Sequence, residues 1–327
     1  MTGQNGGVST RIVRQDEIDA PLSEGSVVTI GAYDGVHLGH RKVLRLVREL
    51  ADARGLDAGL VTFDRHPAEV VRPESAPRLL TTLDQRLELL EDTGLLDIVC
   101  VLTFDEARSH ETAEEFVAEV LVAMLRARVV VVGEDFHFGY RRGGNVALLG
   151  QMGADLGFEV VGLGLVAPEI DPEHEPYSST RVRTVLAGGD VAGAAVLLGR
   201  PHEVRGSVVA GDRRGHELGF PTANLAVPAE ICLPADGIYA GEFRGADGGW
   251  RPCAISLGRR PTFYEHADHS LLEAHLLDFD GDLYGQPAAV RFVERLRGEQ
   301  RFGTVDALVA QMARDCAEAR KILLGRA

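Results

Sequence analysis

Short apolar runs alternate with amphipathic stretches through roughly the first 200 residues, the rhythm of a parallel sheet covered by helices. Ser26–Ile30 reads as a buried strand, and Gly59–Phe63, Leu96–Leu102, Val129–Val132 and Glu159–Leu163 as further strands. Between the first two, Gly39–Ala53 carries Val43, Leu44, Val47, Leu50 and Ala51 on one helical face. Thr82-Leu-Asp-Gln85 and Thr112-Ala-Glu-Glu115 are capping boxes, each opening a helix. The second helix turns Phe116, Val117, Val120, Leu121, Met124 and Leu125 inward, and a further helix is expected from about Asn145 to Leu156. Val129–Val132, the most β-branched run, belongs inside the sheet.

After Gly199 the rhythm changes. Glu203–Val209, Gly237–Phe243, Trp250–Ser256, Leu271–Phe279 and Ala288–Leu296 follow one another as strands, joined by turns such as Gly245-Ala-Asp-Gly-Gly249. That pattern predicts a small antiparallel barrel or sandwich, and we read it as a barrel. Thr304–Leu324 closes the chain as one amphipathic helix, with Val305, Leu308, Val309, Met312 and Cys316 in phase.

Composition narrows the chemistry. Thirty-four basic against 49 acidic residues in 327 give a net charge of −15, which disfavours nucleic acid and anionic membranes as partners. Only Lys42 and Lys321 are lysines, and neither stands in the Gly-Lys-Ser/Thr setting of a P-loop. Phosphate chemistry must therefore use backbone amides, histidine, arginine or metal. The polar N-terminus lacks the apolar core of a signal peptide, and no run approaches the ~20 residues of a membrane span. Cys100, Cys232, Cys253 and Cys316 lie far apart and read as small buried hydrophobes, so a reducing cytoplasm is expected.

In the first half, Gly31-Ala-Tyr-Asp-Gly-Val-His-Leu-Gly-His40 joins a strand to a helix. His37 and His40 are three apart at a helix start, so their rings point the same way, and Gly39 between them leaves room for a phosphate. Such a pair suits stabilisation of charge during attack at an α-phosphorus, whereas a metal would need a third ligand nearby. Gly133-Glu-Asp-Phe-His-Phe-Gly139 follows the central strand, where open sheets place ligands. There Asp135 can accept from a ribose or base or help hold Mg²⁺, and Phe136 and Phe138 either pack an aromatic ligand or fill core. Arg141 and Arg142 with Gly143-Gly144 suit a phosphate-contacting loop, and Phe63-Asp-Arg-His-Pro67 lies at the same sheet edge. Tyr177-Ser-Ser-Thr-Arg-Val-Arg183 opens another helix with more hydroxyls and arginines than an N-cap needs.

In the second half, Thr222 and Asn224 of Gly219-Phe-Pro-Thr-Ala-Asn-Leu225 are two apart in extended chain and share a side. A hydroxyl and an amide oxygen there suit a phosphate-bound Mg²⁺, and the competing reading is an ordinary turn. Glu273 alternates with the apolar Leu272 and Ala274, as a proton acceptor near a triphosphate or as a solvent-facing strand residue. Asp278, Asp280 and Asp282 read as a turn, since no downstream Glu completes a calcium loop.

The strings Tyr33–His40, Thr62–Pro67, Gly133–Gly139 and Ser178–Arg183 resemble, in order and spacing, the FMN adenylyltransferase module of the bacterial bifunctional riboflavin kinase/FAD synthetases, within the His-x-Gly-His nucleotidyltransferase superfamily. Class I aminoacyl-tRNA synthetases share His-x-Gly-His, but the two lysines cannot supply their Lys-Met-Ser-Lys-Ser partner. Gly219–Leu225, Leu233–Tyr239, Gly258–Phe263, Glu273–Phe279, Asp282–Gly285 and Arg295–Arg297 are similar to the riboflavin kinase module. The departures are Tyr33 for a more usual Phe, Arg65 for Pro, and His216-Glu217 for Gly-Arg or similar.

The resemblance implies an α/β fold: a Rossmann-like nucleotidyltransferase domain over residues 21–200 after a tail of 1–20, then a β-barrel kinase domain over 201–327. It implies conversion of riboflavin to FMN and of FMN to FAD, each with ATP and Mg²⁺. His37 and His40 would be catalytic in adenylyl transfer, with Gly39, Asp135, Ser178, Ser179, Arg181 and Arg183 on ATP and its phosphates, and Phe63 and Phe138 on flavin. In the kinase Glu273 would be the base, Thr222 and Asn224 the metal and phosphate ligands, and Gly211, Arg213 and Gly219 part of the phosphate site, within a flap over Gly211–Gly219. Two other readings are a chain with only the adenylyltransferase active, and a flavin-binding protein without turnover.

Overall fold

The computed structural model describes residues 10–18, 20–164, 176–211, 218–258 and 271–325. Contacts divide the chain into two compact units at Ser178/Ser179. The first unit contains β1 (Arg11–Arg14), β2 (Ser26–Ile30), β3 (Asp57–Phe63), β4 (Ile98–Leu102) and β5 (Ala127–Gly133). A short hairpin follows, β6 (His137–Phe138) with β7 (Gly144–Asn145), and then β8 (Glu159–Leu163). All but the hairpin form one parallel sheet ordered β1-β4-β3-β2-β5-β8. The order reverses between β2 and β5, and such a switch point opens a crevice beyond the carboxyl ends of the strands. The loop carrying His37 leaves β2, and the segment from Gly133 leaves β5.

The helices of this unit are α1 (Leu38–Arg54), α2 (Pro67–Val71), α3 (Leu83–Glu91), α4 (Glu106–Ser109), α5 (Ala113–Phe116) and α6 (Val146–Leu156). Alternate strand residues feed two apolar layers, one holding Val27, Leu60, Val99 and Val129 with α1 and α3, the other Val28, Val61, Cys100 and Val130 with Phe116. A sheet buried on both faces explains why its strands read as continuous apolar runs. Both expected capping boxes close: Thr82 and Gln85 exchange bonds at 3.2 Å in each direction, as Thr112 and Glu115 do at 3.1 and 2.8 Å. Each such cap contributes on the order of 1 kcal/mol.

Three details differ from the sequence expectation. Arg11–Arg14, assigned to a tail, is an edge strand paired with β4; pairing on one side buries Val13 alone, too little to leave a readable pattern. The helix from Thr112 is α-helical only to Phe116 and continues over Val117–Met124 as a π-helix, closed by Leu125 N–H on the Val120 carbonyl at 3.1 Å. The expected inward set survives, because Val117, Val120, Leu121 and Leu125 are all buried. Val305 is 60% exposed, in the first turn of the final helix.

The second unit begins with α7 (Ser179–Ala187) and α8 (Val191–Leu198) and continues with β9 (His202–Val209), β10 (Ala223–Ala226), β11 (Gly237–Arg244), β12 (Trp250–Gly258), β13 (Leu271–Leu276) and β14 (Pro287–Arg297). These strands close an antiparallel barrel ordered β10-β13-β12-β11-β14-β9, and α9 (Val305–Leu324) packs on β11 and β12. The α7–α8 pair lies with the barrel rather than with the sheet. Arg295 donates to the Gly188 carbonyl at 3.2 Å and to that of Asp236 at 3.0 Å, and Ala235 N–H donates to Leu186.

Candidate functional site

In the first unit, the β2–α1 loop turns through positive φ at Tyr33 (49°), Gly35 (81°) and Val36 (39°). A buried, β-branched residue in that region is strained, a feature that persists only where surrounding contacts enforce it. His37 is the N-cap of α1, its Nδ1 accepting the His40 N–H at 3.3 Å. The two imidazoles stack with centroids 3.6 Å apart, and Tyr33 stacks on His40 at 4.5 Å. A Cβ on Gly39 would come within 2.8 Å of Tyr177 Cβ and 3.1 Å of His37 Nδ1, so only glycine fits the turn. Tyr33 is well accommodated where Phe is more usual: its hydroxyl pairs with Thr29 Oγ1 at 3.0 Å, and burial pushes its pKa far up.

A cleft of about 640 Å³ opens at the ends of β2 and β3, lined also by segments that follow β4 and β5; Gly31 reaches it, while His37 and His40 are not in its lining. Phe63 and Phe138, both expected at a flavin, line it, with Phe104, Phe116, Phe136 and Tyr140. Phe136 and Phe138 stack at 5.3 Å and Phe63 meets Phe104 edge-on at 5.2 Å, while Phe63, Phe136 and Phe138 also pack on the core. Phe136 and Phe138 thus line a cleft and pack on the core at the same time. Arg141 and Arg142 border the cleft with φ of 52° and 60°. Asp135 is exposed on the turn after β5. Ser178 ends the first unit, whereas Ser179, Arg181 and Arg183 belong to α7, where the half-buried arginines flank buried Val182.

The barrel carries a separate cleft of about 760 Å³. Asn224 of β10 is the direct ladder partner of Glu273 on β13, which is in turn the partner of Ser256 on β12. Directly opposite residues share a face, so the three form a polar row across adjacent strands. All three line the cleft, as do Thr222, His275 and Gly211. Leu272 and Ala274 point the other way into the barrel, so Glu273 stands on a cleft wall and not on open surface. Phe302 and α9 residues Leu308, Met312 and Cys316 also line the cleft, with Asp315 among them. The turn reading of Asn224 fails, because the residue is paired on both sides within β10.

The donor set suits a hard cation. Asn224 is 5% exposed and its Oδ1 has no hydrogen-bond partner among the described residues, an unmet buried acceptor in the cleft that Thr222 also lines. Gly211 lies so close that any Cβ there would overlap the Asn224 amide. Gly219 sits in a turn at φ 84°, and Arg213 and the His216-Glu217 pair lie outside the described residues. No group of three or more His, Cys, Asp or Glu placed to hold a metal is found among the described residues, and Asp278 lies in the turn after β13.

The sequence reading missed Asp34, Thr81 and Arg86, which brace the histidine loop, and Arg297 with Asp315, which braces the cleft wall. Asp34 accepts from the Leu80 and Thr81 amides at 3.0 and 3.1 Å and from Thr81 Oγ1 at 3.2 Å. Arg297 grips Asp315 of α9 at 2.7–3.2 Å. Each looks like an ordinary surface charge until its tertiary partner is known. The only available signal was the capping box at Thr82, next to Thr81 and four residues before Arg86.

Comparison with known proteins assigns a family to each part of the chain. Residues 19–181 match the FAD synthetase family and residues 198–323 the riboflavin kinase family. A bifunctional riboflavin kinase/FMN adenylyltransferase of Escherichia coli K12 is 38% identical over 91% of this chain and 93% of its own. That of Bacillus subtilis is 31% identical over 90% and 91%. The chain belongs to the bifunctional riboflavin kinase/FMN adenylyltransferase family. A Streptococcus pneumoniae crystal structure described as a macrolide-efflux protein shares the fold, with TM-score 0.82 and 30% identity over 94% of this chain and 98% of that one. In the present family member no described helix is long and apolar enough to cross a membrane.

Proposed function

We propose that this chain makes FAD from riboflavin in two ATP-dependent steps at two sites. The barrel transfers the γ-phosphoryl group of ATP to riboflavin. Glu273 takes the proton of the terminal ribityl hydroxyl, whose oxygen bonds to the γ-phosphorus while the bond to the β-phosphate oxygen breaks, giving FMN and ADP. Thr222 and Asn224 would hold a divalent cation for the kinase step, which we take to be Mg²⁺ and which would supply neutralisation of phosphate charge there. Gly211, Gly219 and Arg213 serve the phosphates. The apolar residues Phe302, Leu308 and Met312 in the lining of the same cleft support flavin binding there.

In the first unit an FMN phosphate oxygen attacks the α-phosphorus of a second ATP, and the bond to the β-phosphate oxygen breaks to release pyrophosphate. The nucleophile is already an anion, so positioning and charge stabilisation replace a general base. His37 and His40, at the positive end of α1, carry that stabilisation. Phe63 and Phe138 hold the isoalloxazine, and Gly39, Asp135, Ser178, Ser179, Arg181 and Arg183 contact ATP. We take the nucleotidyltransferase domain as residues 21–200 and the kinase domain as 201–327, a division that family matches over 19–181 and 198–323 support, although α7 and α8 pack with the barrel. The dispersed cysteines support a reducing cytoplasm.

The observation that carries the reading is the Thr222–Asn224–Glu273 group, with an unmet amide oxygen, in a cleft separate from the stacked histidines. Riboflavin, ATP and Mg²⁺ supplied together should yield FMN first and FAD after a lag. FMN without FAD, or neither product, would refute it.

A further inference from the structure

Helix α3 contributes no residue to the proposed chemistry, yet its first turn holds the most enclosed arginine of the first unit. Arg86 is 3% exposed. Its two terminal nitrogens donate to different strand ends: one to the Ala32 carbonyl beyond β2 at 2.8 Å, the other to the Phe63 carbonyl that ends β3. Burial lowers its pKa, and the nearby Asp34 opposes that. Asp34, 2% exposed, is itself held by the Leu80 and Thr81 amides just before α3, while Gly35 N–H donates to Thr81 Oγ1 at 3.2 Å. The strained turn from Tyr33 to Val36 is thereby pinned from the α3 side, and His37 follows it directly.

Two loops of separate function meet at this one side chain. Ala32 begins the turn that sets the His37–His40 stack, and Phe63 is a wall of the aromatic cleft. We infer that Arg86, with Asp34, is a positioning residue for adenylyl transfer, fixing the histidine pair and the Phe63 wall in register with each other. Removing it should leave both ligands bound but misaligned. A misplacement of about 1 Å costs roughly 100-fold in rate.

The inference rests on the proposed role of His37 and His40. The experiment therefore compares Arg86→Gln, Arg86→Lys and His37→Asn in the full chain, assaying FMN adenylylation and riboflavin phosphorylation in each. For Arg86→Gln the expected result is a fall in adenylylation kcat of roughly 100-fold. The KM values for ATP and FMN should stay within about threefold, and phosphorylation should be unchanged. Arg86→Lys, which keeps the charge but can reach one carbonyl, should recover part of the loss. An Arg86→Gln kcat close to the parent's overturns the inference. Loss of FMN binding in both Arg86 variants also overturns it, since Arg86 would then only hold the fold. If His37→Asn keeps full adenylylation, the functional reading of the histidines fails instead.

Discussion

Asn224 and Glu273 face each other as a ladder pair between β10 and β13, so an unmet amide oxygen and a carboxylate share one wall of the barrel cleft. A cation-bound triphosphate held at the first would present its γ-phosphorus near the second. On the proposed reading, that pairing would divide labour between a cation ligand and a base without any lysine.

The close approach of Gly211 to that amide makes it sensitive to a single methyl group. Gly211→Ala should displace Asn224 and raise the kinase KM for ATP by about tenfold, a loss of ~1.4 kcal/mol of binding. Steady-state kinetics at saturating riboflavin would show it, with adenylylation of supplied FMN unchanged.

His40→Ala removes one ring of the stacked pair and the partner of Tyr33. Adenylylation kcat should fall by about 10²–10³, as when one charge-stabilising donor is lost. Riboflavin phosphorylation in the same chain should continue at the parent rate.

Arg297 and Asp315 are only 15% and 9% exposed, and they tie β14 to the helix that walls the kinase cleft. Breaking such a pair from one side costs about 3–5 kcal/mol. Asp315→Ala should therefore lower the urea midpoint of the second unit and raise the riboflavin KM. Trp250, the sole tryptophan, stacks under Arg291 at 3.8 Å in that unit and reports its unfolding by fluorescence.

Burial pushes the Cys316 thiol up to about 11 and that of Cys100 to about 12. Burial disfavours the thiolate, so at pH 8 only about one Cys316 in a thousand carries it. Iodoacetamide labelling followed by mass spectrometry should find both nearly unmodified in the folded chain. Both should react after denaturation, and Cys316 labelling should increase as the pH rises towards 11.

The sheet and barrel were legible because burial leaves a periodic trace: doubly covered strands read as continuous apolar runs, and Thr82 and Thr112 announced their helices. Thr222, Asn224 and Glu273 were legible as a spacing, but their union in one cleft depends on the β10–β13 register, which pairing across 49 residues decides. Arg86 could not be read at all, because a charge on the first turn of an amphipathic helix looks solvated. The edge strand at Arg11–Arg14 escaped for the opposite reason, having too little buried surface to leave a pattern. The π-helical turn after Phe116 kept the right residues inside while changing the hydrogen bonding beneath them.

The most direct test of two separate sites in one chain is the product profile of Glu273→Gln. Given riboflavin, ATP and Mg²⁺, this variant should form FMN at least about 10²-fold more slowly than the parent. Given FMN and ATP, it should make FAD at the parent rate. Equal loss of both activities would contradict the account.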